Sequence, residues 1–132
     1  MGIRILIHKR LKESFDPSLL AEITRAFRQY KETGKRPTNF GRDVPYDFPQ
    51  SVADSDLWHI HIRDQTSLNW DAPQMRVFKM TSNTALIYTR GCRDPNCYLI
   101  IGIIANAHAY YDGTQKYLRE MAEIARGFQR NF

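Results

Sequence analysis

Two neighbouring stretches decide the fold: Ala85-Leu86-Ile87-Tyr88-Thr89-Arg90 and Cys97-Tyr98-Leu99-Ile100-Ile101-Gly102-Ile103-Ile104-Ala105. The first is short, apolar and β-prone. The second is a continuous apolar run, the pattern of a strand covered on both faces. Between them lies Arg93-Asp94-Pro95-Asn96, whose Pro-Asn pair punctuates a turn, so the two strands should run antiparallel across it.

Working outward, Leu57 to Arg63 alternates strictly. Trp58, Ile60 and Ile62 fall on one face, His59, His61 and Arg63 on the other. This predicts a half-buried strand whose second face is polar and cationic. Arg76 to Met80 reads as another short strand, and the β-branched alternation of Ile3-Arg4-Ile5-Leu6-Ile7 opens the fold. Asp16-Pro17 is a helix start: the carboxylate accepts from free amides, and Pro occupies the first turn at no cost in hydrogen bonds. Leu19, Leu20, Ile23, Ala26, Phe27 and Tyr30 then recur on one face until Gly34, which predicts a helix over 17–33. Gly113-Thr114 opens a closing helix with Leu118, Met121, Ala122, Ala125 and Phe128 as its stripe. From Lys35 to Asp56 periodicity disappears among Pro37, Gly41, Pro45 and Pro49, so an irregular connection is expected, of a length more often functional than idle. The order is strand, helix, long loop, three or four strands, helix. It predicts an α+β domain over 1–132, with a single antiparallel sheet and the N- and C-terminal helices packed on it.

A chain of 132 residues, 42% hydrophobic, can bury one ordinary core. The longest apolar run falls far short of the ~20 residues a membrane helix needs, and no charged-then-apolar leader opens the sequence. A cytoplasmic protein without a membrane partner is therefore expected. Cys92 and Cys97 amount to half a structural zinc site, and free thiols are the norm in a reducing compartment. Nineteen Lys and Arg against fourteen Asp and Glu leave a net charge of +5. Residues 1–36 hold nine bases and four acids, 37–75 two and six, and 76–132 eight and four. The two basic ends could converge on a surface that follows a phosphate backbone.

His59 and His61, two apart on a strand, share a face, and His108 falls just past the long apolar strand. If the two strands are neighbours, three imidazoles meet. Such a set suits zinc or iron, as in a small hydrolase or dioxygenase. It equally suits metal-free RNA cleavage, in which histidine fills either proton-transfer role near neutral pH and arginines stabilise the crowded phosphate. The bland alternative is a solvent-facing pair with no role. Arg63 on the same face opposes a metal and favours a phosphate. Arg42, Arg76 and Arg90 are further anion candidates. Tyr46, Tyr88, Tyr110 and Tyr111 could stack on unpaired bases, while Asp43 and Asp47 would orient a basic group or hold the loop.

Phe40-Gly41-Arg42-Asp43, Tyr46-Asp47, His59-Ile60-His61-Ile62, Pro73-Gln74 with Arg76 and Phe78, Thr81-Ser82-Asn83, Leu99-Ile100-Ile101 and Met121-Ala122-Glu123 ending in Phe132 resemble, in order and spacing, the YafO toxin family. The resemblance covers residues 17–132. It implies a RelE-like sheet and a type II toxin that cleaves mRNA on the ribosome by metal-free 2′-OH transesterification, needing no cofactor and restrained by a YafN-like antitoxin. From their residue types and placement, His59, His61, Arg63, Arg76 and His108 are the candidate catalytic residues; Arg42, Asp43, Tyr46, Asp47, Tyr88 and Arg90 are the candidate RNA contacts. A ribosome- or RNA-binding inhibitor that blocks translation without cutting is the non-enzymatic alternative.

Overall fold

The computed structural model describes residues 2–105 and 115–132. Strand β1 (Arg4–Ile7) leads into a short helix α1 (Lys9–Ser14) and then α2 (Pro17–Thr33). Next come β2 (Phe40–Pro45), α3 (Gln50–Ala53), β3 (Trp58–Ile62), a 3-10 turn at Val77–Lys79, β4 (Thr84–Arg90), β5 (Cys97–Ile104) and α4 (Lys116–Asn131). The Asp16 carboxylate accepts from the Leu19 N–H at 2.9 Å, and Gly34, at φ 75°, closes α2 with its N–H on the Tyr30 carbonyl.

The α+β class holds, with one departure from a wholly antiparallel sheet. The strand order is β1-β5-β4-β3-β2, and β1 lies parallel to β5 while every other pair is antiparallel. After β1 the chain crosses the whole sheet through α1 and α2 to the far edge. It then returns as a four-strand meander, which brings β5 back alongside β1 in the same direction.

Two further expectations are corrected, and the condition for three imidazoles to meet is not fulfilled. The connection from Lys35 to Asp56 contains β2 and α3. Arg76 to Met80 forms the 3-10 turn rather than a strand. β4 lies between β3 and β5, so the histidine strand does not neighbour the long apolar one. The predicted opening of the last helix at Gly113-Thr114 lies outside the described residues.

The helices cover opposite faces. On one, Leu20, Ile23 and Phe27 of α2 pack against Phe40, Ile60, Ile62, Leu86, Tyr88 and Ile100. On the other, Leu118, Met121, Ala122, Ala125 and Phe128 of α4 meet Ala85, Ile87, Leu99, Ile101 and Ile104, with Val52 and Leu57 beside them. Double coverage explains the unbroken apolar run of β5, and each large side chain so buried is worth roughly 1.5–3 kcal/mol. It also changes the reading of β3. His59 and His61 are not on a solvated face: they are 9% and 7% exposed, on the side that carries α4.

Candidate active site

The site begins with an irregularity in β2. Phe40 pairs with Ile62 and Asp43 with Ile60, so Gly41 and Arg42 together stand opposite His61 alone. This is a β-bulge: one extra residue re-aims the side chains around it. Phe40 and Asp43, three apart, would face opposite ways in a regular strand, yet both turn to the α2 side. Arg42 is thereby delivered to the histidine face. Gly41 is required there, because a Cβ would run into the Met80 carbonyl oxygen and come within 2.8 Å of Trp70 Cη2. The Arg42 N–H bonds that same Met80 carbonyl at 2.9 Å, fixing the bulge against the segment after the 3-10 turn.

The Arg42 guanidinium lies 4.0 Å over the Phe78 ring, and its buried Nε makes no hydrogen bond among the described residues. Such a donor costs free energy until something accepts from it. His59 stacks on Tyr46 with ring centroids 4.1 Å apart and planes 15° from parallel, and its ring lies 5.3 Å from that of His61. Burial foremost, then the charges of His61 and Arg42, pushes the His59 pKa down to about 3. At neutral pH it is a neutral imidazole.

His61 Nδ1 is 3.0 Å from both the N–H and the carbonyl oxygen of Ser82. A neutral ring can accept from the N–H, and an imidazolium can donate to the carbonyl. The main chain of one residue thus serves both protonation states. Ser82 is itself buried, its hydroxyl set between the carbonyls of Ile62 and Thr84. Tyr117 enters from α4: its hydroxyl approaches Gly102, which pairs with Ile87, which pairs with His59.

The structure therefore brings together Arg42, Tyr46, His59 and His61. It places Asp43, Tyr88 and Arg90 on the other face. Asp43 accepts from Tyr30 at 2.8 Å and from Tyr88 at 2.8 Å, with Lys31 Nζ at 3.4 Å. Lys31 also donates to the Tyr88 hydroxyl at 2.9 Å, and burial draws its pKa down against the pull of Asp43. Tyr88, 2% exposed and committed to Asp43, is a core residue and not a platform for a base. Arg90 pairs with Asp56 at 3.3 Å. Arg63 stands just past the end of β3, and its guanidinium meets the Asp71 carboxylate twice, at 3.0 and 2.6 Å, instead of continuing the histidine face. Arg76 and Asp47 are exposed. His108, Tyr110 and Tyr111 lie outside the described residues.

Ser82 and Tyr117 had been given no role from sequence. Ser82 sits in the quoted Thr81-Ser82-Asn83 segment, a usable signal, whereas Tyr117 looked like any helix residue. Among the described residues, no three His, Cys, Asp or Glu side chains converge as a metal site. Cys92 and Cys97 are both free thiols.

The family model described as toxin YafO of type II toxin-antitoxin systems matches residues 28–130. The chain is also similar to the mRNA interferase toxin YafO of Escherichia coli (strain K12), at 27% identity over 140 residues that cover 98% of this chain and 100% of that protein. No solved structure matches. With its bulge, both histidines of β3 and all but the last residue of α4 inside the matched region, this chain belongs to the YafO family of type II toxin-antitoxin systems.

Proposed function

We propose that this toxin is an endoribonuclease that cuts mRNA at the Arg42–His59–His61 face, by attack of a ribose 2′-OH on the adjacent phosphate. The 2′-O–P bond forms and the P–O5′ bond breaks. The 2′ proton leaves to a base and another proton reaches O5′, giving a 2′,3′-cyclic phosphate and a 5′-hydroxyl. His59, held neutral, is the base; a phosphodiester charge beside the ring stabilises the imidazolium against its burial and against the charges of His61 and Arg42, and lets the ring take the proton. His61, with a Ser82 partner in either state, is the acid. The observation that carries the reading is the buried, unmatched Arg42 donor beside two imidazoles, since a non-bridging phosphate oxygen supplies what that donor lacks.

Arg63, Arg76 and Asp47 belong to the surrounding surface that meets the rest of the strand, Arg90 stays with Asp56 on the other face, and His108 is retained as a candidate. The ribosome presents the mRNA, which spares a small domain from building base-reading pockets. The restraining partner is a YafN-like antitoxin, and the work is done in the cytoplasm. The test is Arg42→Lys assayed in a translating extract by mapping mRNA ends. Loss of the forked donor should lower cleavage at least tenfold, about 1.4 kcal/mol, with ribosome binding unchanged. Wild-type cleavage by this variant would remove Arg42 from the chemistry.

A further inference from the structure

At the sheet edge remote from the histidines, β1 is the terminal strand among the described residues. Arg4 and His8 donate their backbone N–H groups to Asn96 and Ile100, each at 2.9 Å, which fixes the side of β1 that faces β5. By alternation, Ile5 and Ile7 turn both N–H and C=O outward. The Ile3 carbonyl, on that same outer side, is met by Arg28 Nη1 at 2.8 Å. An open edge of this kind is a template for another strand.

Beside it runs a groove of about 550 Å³ with Ile7, Leu20 and Ala21 on its floor and Lys12, Arg25 and Arg28 around it. Among the described residues, no Asp or Glu lines it. Lys12, Ala21 and Arg25 are exposed. Apart from Arg28, the groove also lies ahead of residues 28–130, where the family model matches.

We propose that this edge and groove anchor an extended segment of the antitoxin, with side chains alternating between apolar and acidic. The outward amides of Ile5 and Ile7 recur every two residues, a spacing that an added strand satisfies and a helix does not. Alternate side chains of that strand drop onto Leu20 and Ala21, and acidic ones meet the three cations. Two strands, β5 and β4, separate this edge from the histidine strand, so the anchor supplies affinity and leaves the cutting face to the rest of the antitoxin. The inference needs a toxin with an antitoxin and is independent of how the histidines act.

The experiment uses the full-length toxin and the antitoxin encoded beside it. Hydrogen exchange should slow at least a hundredfold at the Ile5 and Ile7 amides on complex formation. The double variant Lys12→Glu, Arg25→Glu, both residues being surface cations, should weaken calorimetric Kd at least tenfold while toxicity without antitoxin stays at the wild-type level. Unchanged exchange at Ile5 and Ile7 overturns the anchor whatever the variant does. Slowed exchange with an unchanged Kd in the variant overturns its acidic chemistry.

Discussion

His59 carries a cost that reports on its environment. Its pKa in the folded protein is pushed down to about 3, chiefly by burial, against an ordinary value near 6.5. Between those values the unfolded chain binds a proton that the folded protein refuses. The stability linked to His59 is therefore fully present above pH ~6.5 and is lost as the pH falls toward 3, with a slope of up to about 1.4 kcal/mol per pH unit. Urea midpoints measured from pH 7 to 4 should show this decline. His59→Phe keeps a ring against Tyr46 and cannot titrate, so its decline should be shallower. An identical slope in both proteins would mean that His59 is not held neutral. The same variant should fold and yet lose at least a hundredfold in mRNA cleavage, the usual scale of a lost proton-transfer group.

At the scale of elements, the bulge in β2 is held from both sides. Gly41 and the Arg42 N–H fit against Met80 on one face, and Asp43 is tied to Tyr30, Lys31 and Tyr88 on the other. The side chains of Lys31 and Asp43 are 16% and 11% exposed, so removing the carboxylate strands a largely buried ammonium. Asp43→Ala should cost about 3 kcal/mol, or roughly 10 °C in Tm by calorimetry, and Lys31→Met combined with it should recover much of that loss. A shift within 2 °C, of the order of measurement scatter, would mark the pair as an ordinary surface contact.

The same bulge explains why β2 was hidden. Phe40-Gly41-Arg42-Asp43 breaks alternation at the position where the strand is irregular, and Pro45 ends it on an edge, where a missing donor is tolerated. β3, β4, β5 and α2 were legible because period 2, an unbroken apolar run and a capped amphipathic stripe are local signals. The facing of His59 and His61 was legible too. Their burial was not, since it depends on what packs across the sheet. Arg63 read as part of the histidine face because alternation says nothing of a carboxylate eight residues on that claims the guanidinium.

At the scale of the whole molecule, α2 and α4 on opposite faces leave the sheet two edges, to which we assign different tasks. The β2–β3 edge holds the histidines in a dry setting, where proton affinities are movable and an arginine donor waits for an anion. Among the described residues, the β1 edge turns the Ile5 and Ile7 amides outward beside a basic apolar groove. The basic first 36 residues, which from sequence alone could have joined the cutting surface, contribute Lys12, Arg25 and Arg28 to that groove instead. The central claim is that the histidine pair performs metal-free transesterification. It is tested most directly by the chemistry of the mRNA ends made in a translating extract by the wild-type toxin and by the His59→Phe, His61→Phe double variant. Transesterification leaves 5′-hydroxyl and 2′,3′-cyclic phosphate ends from the wild type, and a folded double variant should make no cuts. Ends bearing 5′-phosphates, or undiminished cutting by the double variant, would contradict it.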